Sequence, residues 1–397
     1  MTLPDNQPRT VLIGTGVVGR AILDAHIAAN VSTCVVDQNT ESLRSAVESL
    51  TLDPKSWSTE LFEINDCPAF ALKHEGNQES ESVLVIESIA ERLEVKRAFF
   101  QQAEMVFGSE AVLCSNTSTL KISDIASAVE QRGRVCGMHF FMPVALRKAV
   151  EIVRTPQSNQ HAIDVCQRHA VRINKTPLLV NDSPGFIVNR LLSPYLNQSI
   201  LLLAHGVSAD RIERAARQYG MPISPLELID WIGTRTMFDA GRAFWQAFPD
   251  RIAPSPIAPA LVKKKRPGRA TGSGIYDYVD QKRSDQLSPV TQQIVQTYAL
   301  DAIEVTDDDV VHLLSIPMLI EAALAYQSGV VEQIADFEIA MTGGLGYESS
   351  SRWLTFFQTI GQQAINESIE KWSPQFKSMN LGGADLARLL HSWNAGF

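Results

Sequence analysis

With 397 residues, 45% of them hydrophobic and 20% charged, the chain has the make-up of a globular protein with more than one core. A net charge of −9 argues against a broad surface for nucleic acid or anionic membrane, and the one basic run, "KKKRPGR" at 263–269, reads as a solvated loop. Five cysteines without paired spacing argue against a disulfide framework, and no second ligand pair joins Cys136 and His139, so no metal site is expected.

The opening "MTLPDNQPRT" lacks the apolar stretch of a secretory signal. The most apolar run, around "SILLLAHG", is far shorter than the ~20 residues that span a bilayer, so a cytoplasmic protein without a membrane span is expected. Residues 10–37 hold the strongest local pattern. The β-rich run "TVLI" leads into "GTGVVG" at 14–19, a helical stretch "RAILDAHIAAN", and a second buried strand "STCVVD" ending on Asp37. A glycine triplet between a strand and a helix, with an acid closing the next strand, fits a dinucleotide. Gly14 permits the tight turn, Gly16 lets the backbone approach a pyrophosphate, and Gly19 allows close helix–strand packing. Asp37 can accept from ribose hydroxyls but repels a 2′-phosphate, which points to NAD rather than NADP.

Further strands are expected at "VLVIES" (83–88), "AVLCSN" (111–116) and "RVCGMHF" (134–140), with helices at 91–105 and 121–131 between them. "EIVR" and "TPLLVN" complete a parallel, doubly wound sheet, with a helix near 159–172 between them. After residue 182 the strands stop. "DSPGFIVNRLL" opens with a polar cap and Pro184 and runs with helical periodicity to Gly206. The remainder is mostly helix, with Pro- and Gly-rich loops near 249–275. Pro194, Gly206 and Gly220 recur, each 123 residues later, as Pro317, Gly329 and Gly343, which indicates a duplication. The expected organisation is a Rossmann-like α/β domain at 1–182 followed by two tandem all-α domains, 183–295 and 296–397.

His139 ends a predicted strand, where ligands of open α/β sheets collect. Histidine suits proton exchange near neutral pH. Glu151, twelve residues on at the start of the next strand, is placed to hold the imidazole, and a charge inside so apolar a run wants a partner. "SNTSTL" at 115–120 offers hydroxyls and an amide at the same edge, or simply a capped turn. Asn189, inside an apolar helix, either reaches the cleft or bridges backbone groups.

"GTGVVG", "ERLEVK", "SNTSTL", "GMHFFMP", "VEIV" and "DSPGFIVNRLL", in this order, resemble the L-3-hydroxyacyl-CoA dehydrogenase family over about residues 9–397. The helical half resembles the C-terminal part of the multifunctional fatty-acid-oxidation α-subunit. The hydratase region of those enzymes has no counterpart, so hydratase activity is not expected. The resemblance implies NAD-dependent oxidation of an L-3-hydroxyacyl-CoA to the 3-ketoacyl-CoA, a fatty-acid β-oxidation step. It also implies His139 as acid/base, Glu151 as its orienting partner, and Ser118 and Asn189 on the substrate 3-oxygen. Glu91 and Lys96 fall at positions that meet the nicotinamide end of the cofactor. Because family members with one helical domain pair it between subunits, the duplication implies a monomeric catalytic unit, with a thiolase or hydratase as further partner. Three departures stand out. Met142 replaces an amide in "HFFMP", Ala270 replaces a lysine in "GRATGSGIY", and residues 38–80 lack the family's basic segment that meets coenzyme A. Two alternatives follow: a dehydrogenase for another 3-hydroxy acid, or a catalytically weakened NAD- or acyl-CoA-binding subunit of a β-oxidation complex.

Overall fold

The computed structural model describes residues 9–39, 41, 43, 61–62, 83–348 and 352–395, so nearly all of the divergent 38–80 segment lies outside the described residues. The chain divides after Phe186 into two compact units.

The first unit is built on an eight-stranded sheet. Its strands are β1 (Arg9–Ile13), β2 (Thr33–Val36), β3 (Leu61–Phe62), β4 (Val83–Glu87), β5 (Val112–Ser115), β6 (Val135–Phe140), β7 (Ala149–Arg154) and β8 (Thr176–Asn181). They lie in the order β3-β2-β1-β4-β5-β6-β7-β8. Helices α1 (Val17–Ala28), α2 (Leu93–Phe107), α3 (Ile122–Ala126) and α4 (Gln160–Arg172) connect them. Val11, Leu12, Leu84, Ile86, Val112, Leu113 and Ile152 are fully buried or nearly so. Runs of neighbouring apolar residues without alternation are what a sheet covered on both faces requires.

The expected all-parallel sheet is corrected at one edge. β7 runs antiparallel to β6, and β8 follows β7 in parallel. The reason is the connection: residues 141–148 are too few for a crossover helix, so the chain must turn back on itself. The helix expected at 121–131 is only the short α3, followed by a 3-10 turn, Arg132–Arg134. Nor does Asp182 cap the helix that follows it. Its two carboxylate oxygens accept from the Ile122 and Ser123 N–H groups at the start of α3. The cysteines are less scattered than their spacing implies. Cys114 and Cys136 are register partners on β5 and β6, and Cys166 of α4 lies with its Sγ 3.3 Å from that of Cys114.

The second unit is helical, with one exception to the expected end of strands. A hairpin of β9 (Tyr276–Val279) and β10 (Lys282–Leu287) closes the Gly-rich loop. Its helices begin with α5 (Val188–Ala204), α6 (Ala209–Tyr219), α7 (Pro225–Ile232), α8 (Thr234–Ala247), α9 (Ile257–Lys263) and α10 (Pro289–Thr297). Then follow α11 (Asp307–Gln327), α12 (Ala335–Glu338) running into a π-helix at Ile339–Leu345, α13 (Trp353–Ile360), α14 (Gln362–Trp372) and α15 (Leu386–Ala395). Among the described residues, helix α11 is the one helix long and apolar enough to cross a membrane by length and composition. Its mean hydropathy reaches 1.4, but 89% of that window is buried within the protein, so its apolar surface serves the core.

Both expected helical copies lie within this one unit. Helices α5 and α11 each carry a buried internal proline, Pro194 and Pro317, and each is followed by a left-handed glycine, Gly206 or Gly329. The third expected match fails. Gly343 sits inside the π-helix, and the left-handed conformation of Gly220 is found instead at Gly346, three residues further on. Contacts between the two expected copies run both ways. Gln198 of α5 accepts from Ser378, while Glu321 of α11, its counterpart at the 123-residue displacement, accepts from Arg251. Likewise α6 packs on α11 and the π-helix packs on α5.

Candidate active site

The C-terminal ends of the parallel strands in the first unit gather the polar residues. At the end of β1, Gly14 adopts φ +96°, and a Cβ there would lie 2.5 Å from the Ser88 carbonyl oxygen. A Cβ on Gly19 would meet the Gly14 carbonyl oxygen at 1.9 Å. Both glycines are therefore demanded by packing. Gly16, which precedes the first turn of α1, has nothing within 4 Å of its Cβ position. That open backbone, ahead of a helix with free N–H groups, is the part of the loop available to a phosphate. Asp37 follows β2; its Oδ2 accepts from the Thr15 N–H (2.6 Å) and hydroxyl (2.7 Å), so the acid and the glycine loop hold each other in place. These residues fit a dinucleotide.

His139 lies near the end of β6 and is 4% exposed. The antiparallel turn-back makes Glu151 its direct register partner. Glu151 is near the start of β7, and because β7 runs the other way, that start lies at the same edge of the sheet. The His139 Nδ1 is 2.6 Å from Glu151 Oε2, and its Nε2 is 3.1 Å from Ser118 Oγ. A carboxylate on Nδ1 keeps the hydrogen there and leaves Nε2 as the nitrogen that exchanges a proton. Phe141 meets the ring edge-on and Phe186 lies tilted against it, with centroids 4.8 and 5.7 Å away. Asn116 holds the base from behind: its Oδ1 accepts from the Phe140 N–H, and its amide donates to Ser88 Oγ.

Ser118 is placed by Glu91. One Glu91 oxygen accepts from the Thr117 hydroxyl (2.7 Å), the Ser118 N–H (2.9 Å), and the Thr119 N–H and hydroxyl (both 3.0 Å). The other oxygen is 3.5 Å from the buried Lys96 ammonium. Burial works to raise the Glu91 carboxyl, but Lys96 and these hydrogen bonds outweigh it and hold the group below the usual glutamate value. "SNTSTL" is thus both a turn and part of the site.

Nine of the ten residues singled out from sequence therefore gather in the first unit at one edge of its sheet. Asn189 belongs to the second unit, in the first turn of α5, where its carbonyl accepts from the Ser193 hydroxyl. Met142 is 45% exposed on the turn after β6, and Ala270 lies on an exposed 3-10 turn. Sequence reasoning missed Glu87, and offered Asn116 only as the amide of "SNTSTL", without its role behind the base. Glu87 carried the same signal as Glu151, a charge closing the apolar run "VLVIE".

Residues 9–183 match the 3-hydroxyacyl-CoA dehydrogenase NAD binding domain, and residues 185–278 match the C-terminal domain of the same family. The chain belongs to the 3-hydroxyacyl-CoA dehydrogenase family. It is 32% identical over 269 residues to the fatty acid oxidation complex subunit alpha of Pseudomonas aeruginosa, which is 66% of this chain and 38% of that protein. It is 28% identical over 390 residues to the glyoxysomal fatty acid beta-oxidation multifunctional protein of Cucumis sativus, covering 94% of this chain and 53% of that one. The chain thus spans well under two thirds of these curated relatives. Among solved structures, 3-hydroxybutyryl-CoA dehydrogenase from Escherichia coli K12 shares the fold, with a TM-score of 0.77 at 23% identity over 98% of this chain and 99% of that one. The (S)-3-hydroxybutyryl-CoA dehydrogenase of Ralstonia eutropha, at 26% identity and TM-score 0.60, covers 69% of this chain and 100% of its own.

Proposed function

We propose that this protein reversibly oxidises the 3-hydroxyl of an L-3-hydroxyacyl-CoA to the ketone, with His139 as the acid/base. The observation that carries the reading is the buried His139, hydrogen-bonded to Glu151 on one nitrogen and to Ser118 on the other, at the sheet edge that also bears the glycine loop. NAD, when bound, supplies the hydride acceptor. Nε2 of His139 takes the hydroxyl proton, and Glu151 fixes the tautomer and stabilises the imidazolium. The Ser118 hydroxyl, already within reach of Nε2, orients the 3-oxygen, and Asn189 is the second group proposed to hold it. Glu91 and Lys96 are assigned to the nicotinamide end, and Asp37 to the ribose.

The reciprocal contacts inside the second unit support the duplication, with copies at about 183–295 and 296–397. An isologous interface has the same reciprocity between two subunits. The catalytic unit is accordingly assigned as a monomer, with a thiolase or hydratase as the kind of protein it joins. The exposed Met142 beside the acid/base favours a second reading, a weakened subunit that binds cofactor or acyl-CoA and turns over slowly.

Oxidation of NADH with acetoacetyl-CoA, compared with longer 3-ketoacyl-CoAs and with NADPH, tests the assignment. Turnover with NADH and little with NADPH is expected. No turnover on any thioester, with NADH still bound, leaves the weakened-subunit reading in possession.

A further inference from the structure

Glu87 has no part in the chemistry described above, yet it is a carboxylate with no exposed surface at the end of β4. Its Oε1 accepts from the Lys96 ammonium at 2.6 Å and from the Ile89 N–H at 2.7 Å. Its Oε2 accepts from the Ser115 hydroxyl at 2.6 Å. Both oxygens are therefore committed, and to two different elements. Lys96 on α2 is 1% exposed, and the charged groups facing it are Glu87 and Glu91. Ser115 is the last residue of β5, directly ahead of the turn that carries Ser118.

A continuous chain of contacts results, running from Ser115 through Glu87, Lys96 and Glu91 to the 117–119 turn, and from Ser118 to His139. The same segment, 87–91, also meets the cofactor loop. A Cβ on Gly14 would strike the Ser88 carbonyl, and the Ser88 N–H donates to Ile13. A buried charge this costly needs every one of its partners, and its loss releases both.

We propose that Glu87 is a positioning residue that, through Lys96 and Glu91, sets the place of the Ser118 hydroxyl against His139. The inference rests on the catalytic reading of His139 and Ser118. Neutralising Glu87 leaves Glu91 as the one carboxylate facing the Lys96 ammonium, and the four hydrogen bonds that Glu91 accepts from the turn are then no longer held from both sides.

The test is Glu87→Gln in the full-length protein, read by kcat and KM for acetoacetyl-CoA, by NADH affinity from fluorescence, and by thermal unfolding. A fall in kcat of roughly tenfold to a hundredfold is expected, with KM for the thioester changed less than threefold. Ser118→Ala supplies the decisive arm. If Glu87 works through Ser118, the two losses do not multiply in the double variant, and Glu87→Asp recovers part of kcat. Should Glu87→Gln fail to fold, the paired Glu87→Gln/Lys96→Gln variant removes both charges at once and should fold with kcat still depressed. Multiplying losses, or a lowered melting temperature with kcat within twofold of the parent, would overturn the proposal. A parent inactive on every thioester counts against the catalytic reading instead. Glu87→Gln with unchanged NADH affinity and an unchanged His139 imidazole NMR signal would, even then, overturn the Glu87 assignment by itself.

Discussion

Glu91 of the first unit and Asp230 of the second spend their charges in opposite ways. In the first, Glu91 is drawn below its usual value by Lys96 and a turn full of donors, while 40% of its side chain stays open. In the second, burial pushes Asp230 up to about 6 despite N–H groups from Tyr276 and Ile275, the Tyr278 hydroxyl and Arg266. Burial raises Glu321 as well, against Arg190 and Arg251. A carboxylate that more than offsets its desolvation at the rim of a sheet is prepared to act on something outside. One that is enclosed by its own chain holds that chain together. Asp230 shows this directly. A Cβ on Gly274 would lie 2.0 Å from its carboxylate, so the Gly-rich loop is laced down onto α7 by a single side chain.

The contrast predicts that substitutions in the first unit strike turnover and those in the second strike stability. The largest effect is expected at the base. His139→Gln should lower kcat by roughly 10²–10⁴ while NADH affinity, measured by fluorescence, hardly moves. Near-normal turnover would remove His139 from the mechanism and the contrast with it.

Next in size is Glu321→Gln. It leaves the Arg190 guanidinium, 1% exposed, facing the Ser328 hydroxyl and the Phe248 ring once the carboxylate is gone. Loss of one partner of such a pair costs about 3–5 kcal/mol. Urea unfolding should show that loss, with NADH binding to the folded protein unchanged. A stable variant that binds cofactor poorly would reverse the division of labour.

A smaller effect separates the units by pH. His26 of α1 and His169 of α4 are buried with their Nε2 atoms 3.1 Å apart. Burial, with Arg172 nearby, lowers His26 from 6.5 to about 3, and burial lowers His169 as well, with His26 and Arg172 adding to it. Below pH 6.5 the unfolded chain takes up protons that the folded pair refuses, so this contribution is complete above 6.5 and lost on acidification. At pH 5, His26 alone accounts for about 2 kcal/mol. Asp230 has the opposite sign, because its folded form binds the proton first. Hydrogen exchange at pH 7 and 5, corrected for intrinsic rates, should therefore show weakened protection in α1 and α4 but not at residues 274–278. Equal weakening in both places would contradict the assignment.

The smallest effect is expected at Met142. Being nearly half exposed, it lets water serve whatever partner an amide would have met, so Met142→Asn should raise kcat/KM on acetoacetyl-CoA by about tenfold or less. A fall would make the methionine an adapted part of the site.

Sequence alone determined the strands and helices of the first unit in their order, apart from the two-residue β3, the glycine loop with Asp37, and the pairing of His139 with Glu151. These follow from local rules: period, turn chemistry, and the need of a charge in an apolar run for a partner. It did not reveal that β7 turns back, although that turn is what makes Glu151 the register neighbour of His139. Glu87 showed in sequence only as a charge closing an apolar run; its partners, nine and 28 residues away, meet it only when β4, β5 and α2 are packed. The recurrence of Pro194 and Gly206 as Pro317 and Gly329 was visible, but Gly343 does not share the left-handed turn of Gly220. Identity of residue type carries no backbone angle, and only the fold shows that Gly346 takes the left-handed turn. Which buried charges face outward and which are enclosed was likewise decided by tertiary structure, since desolvation and hydrogen bonding depend on what the rest of the chain brings alongside.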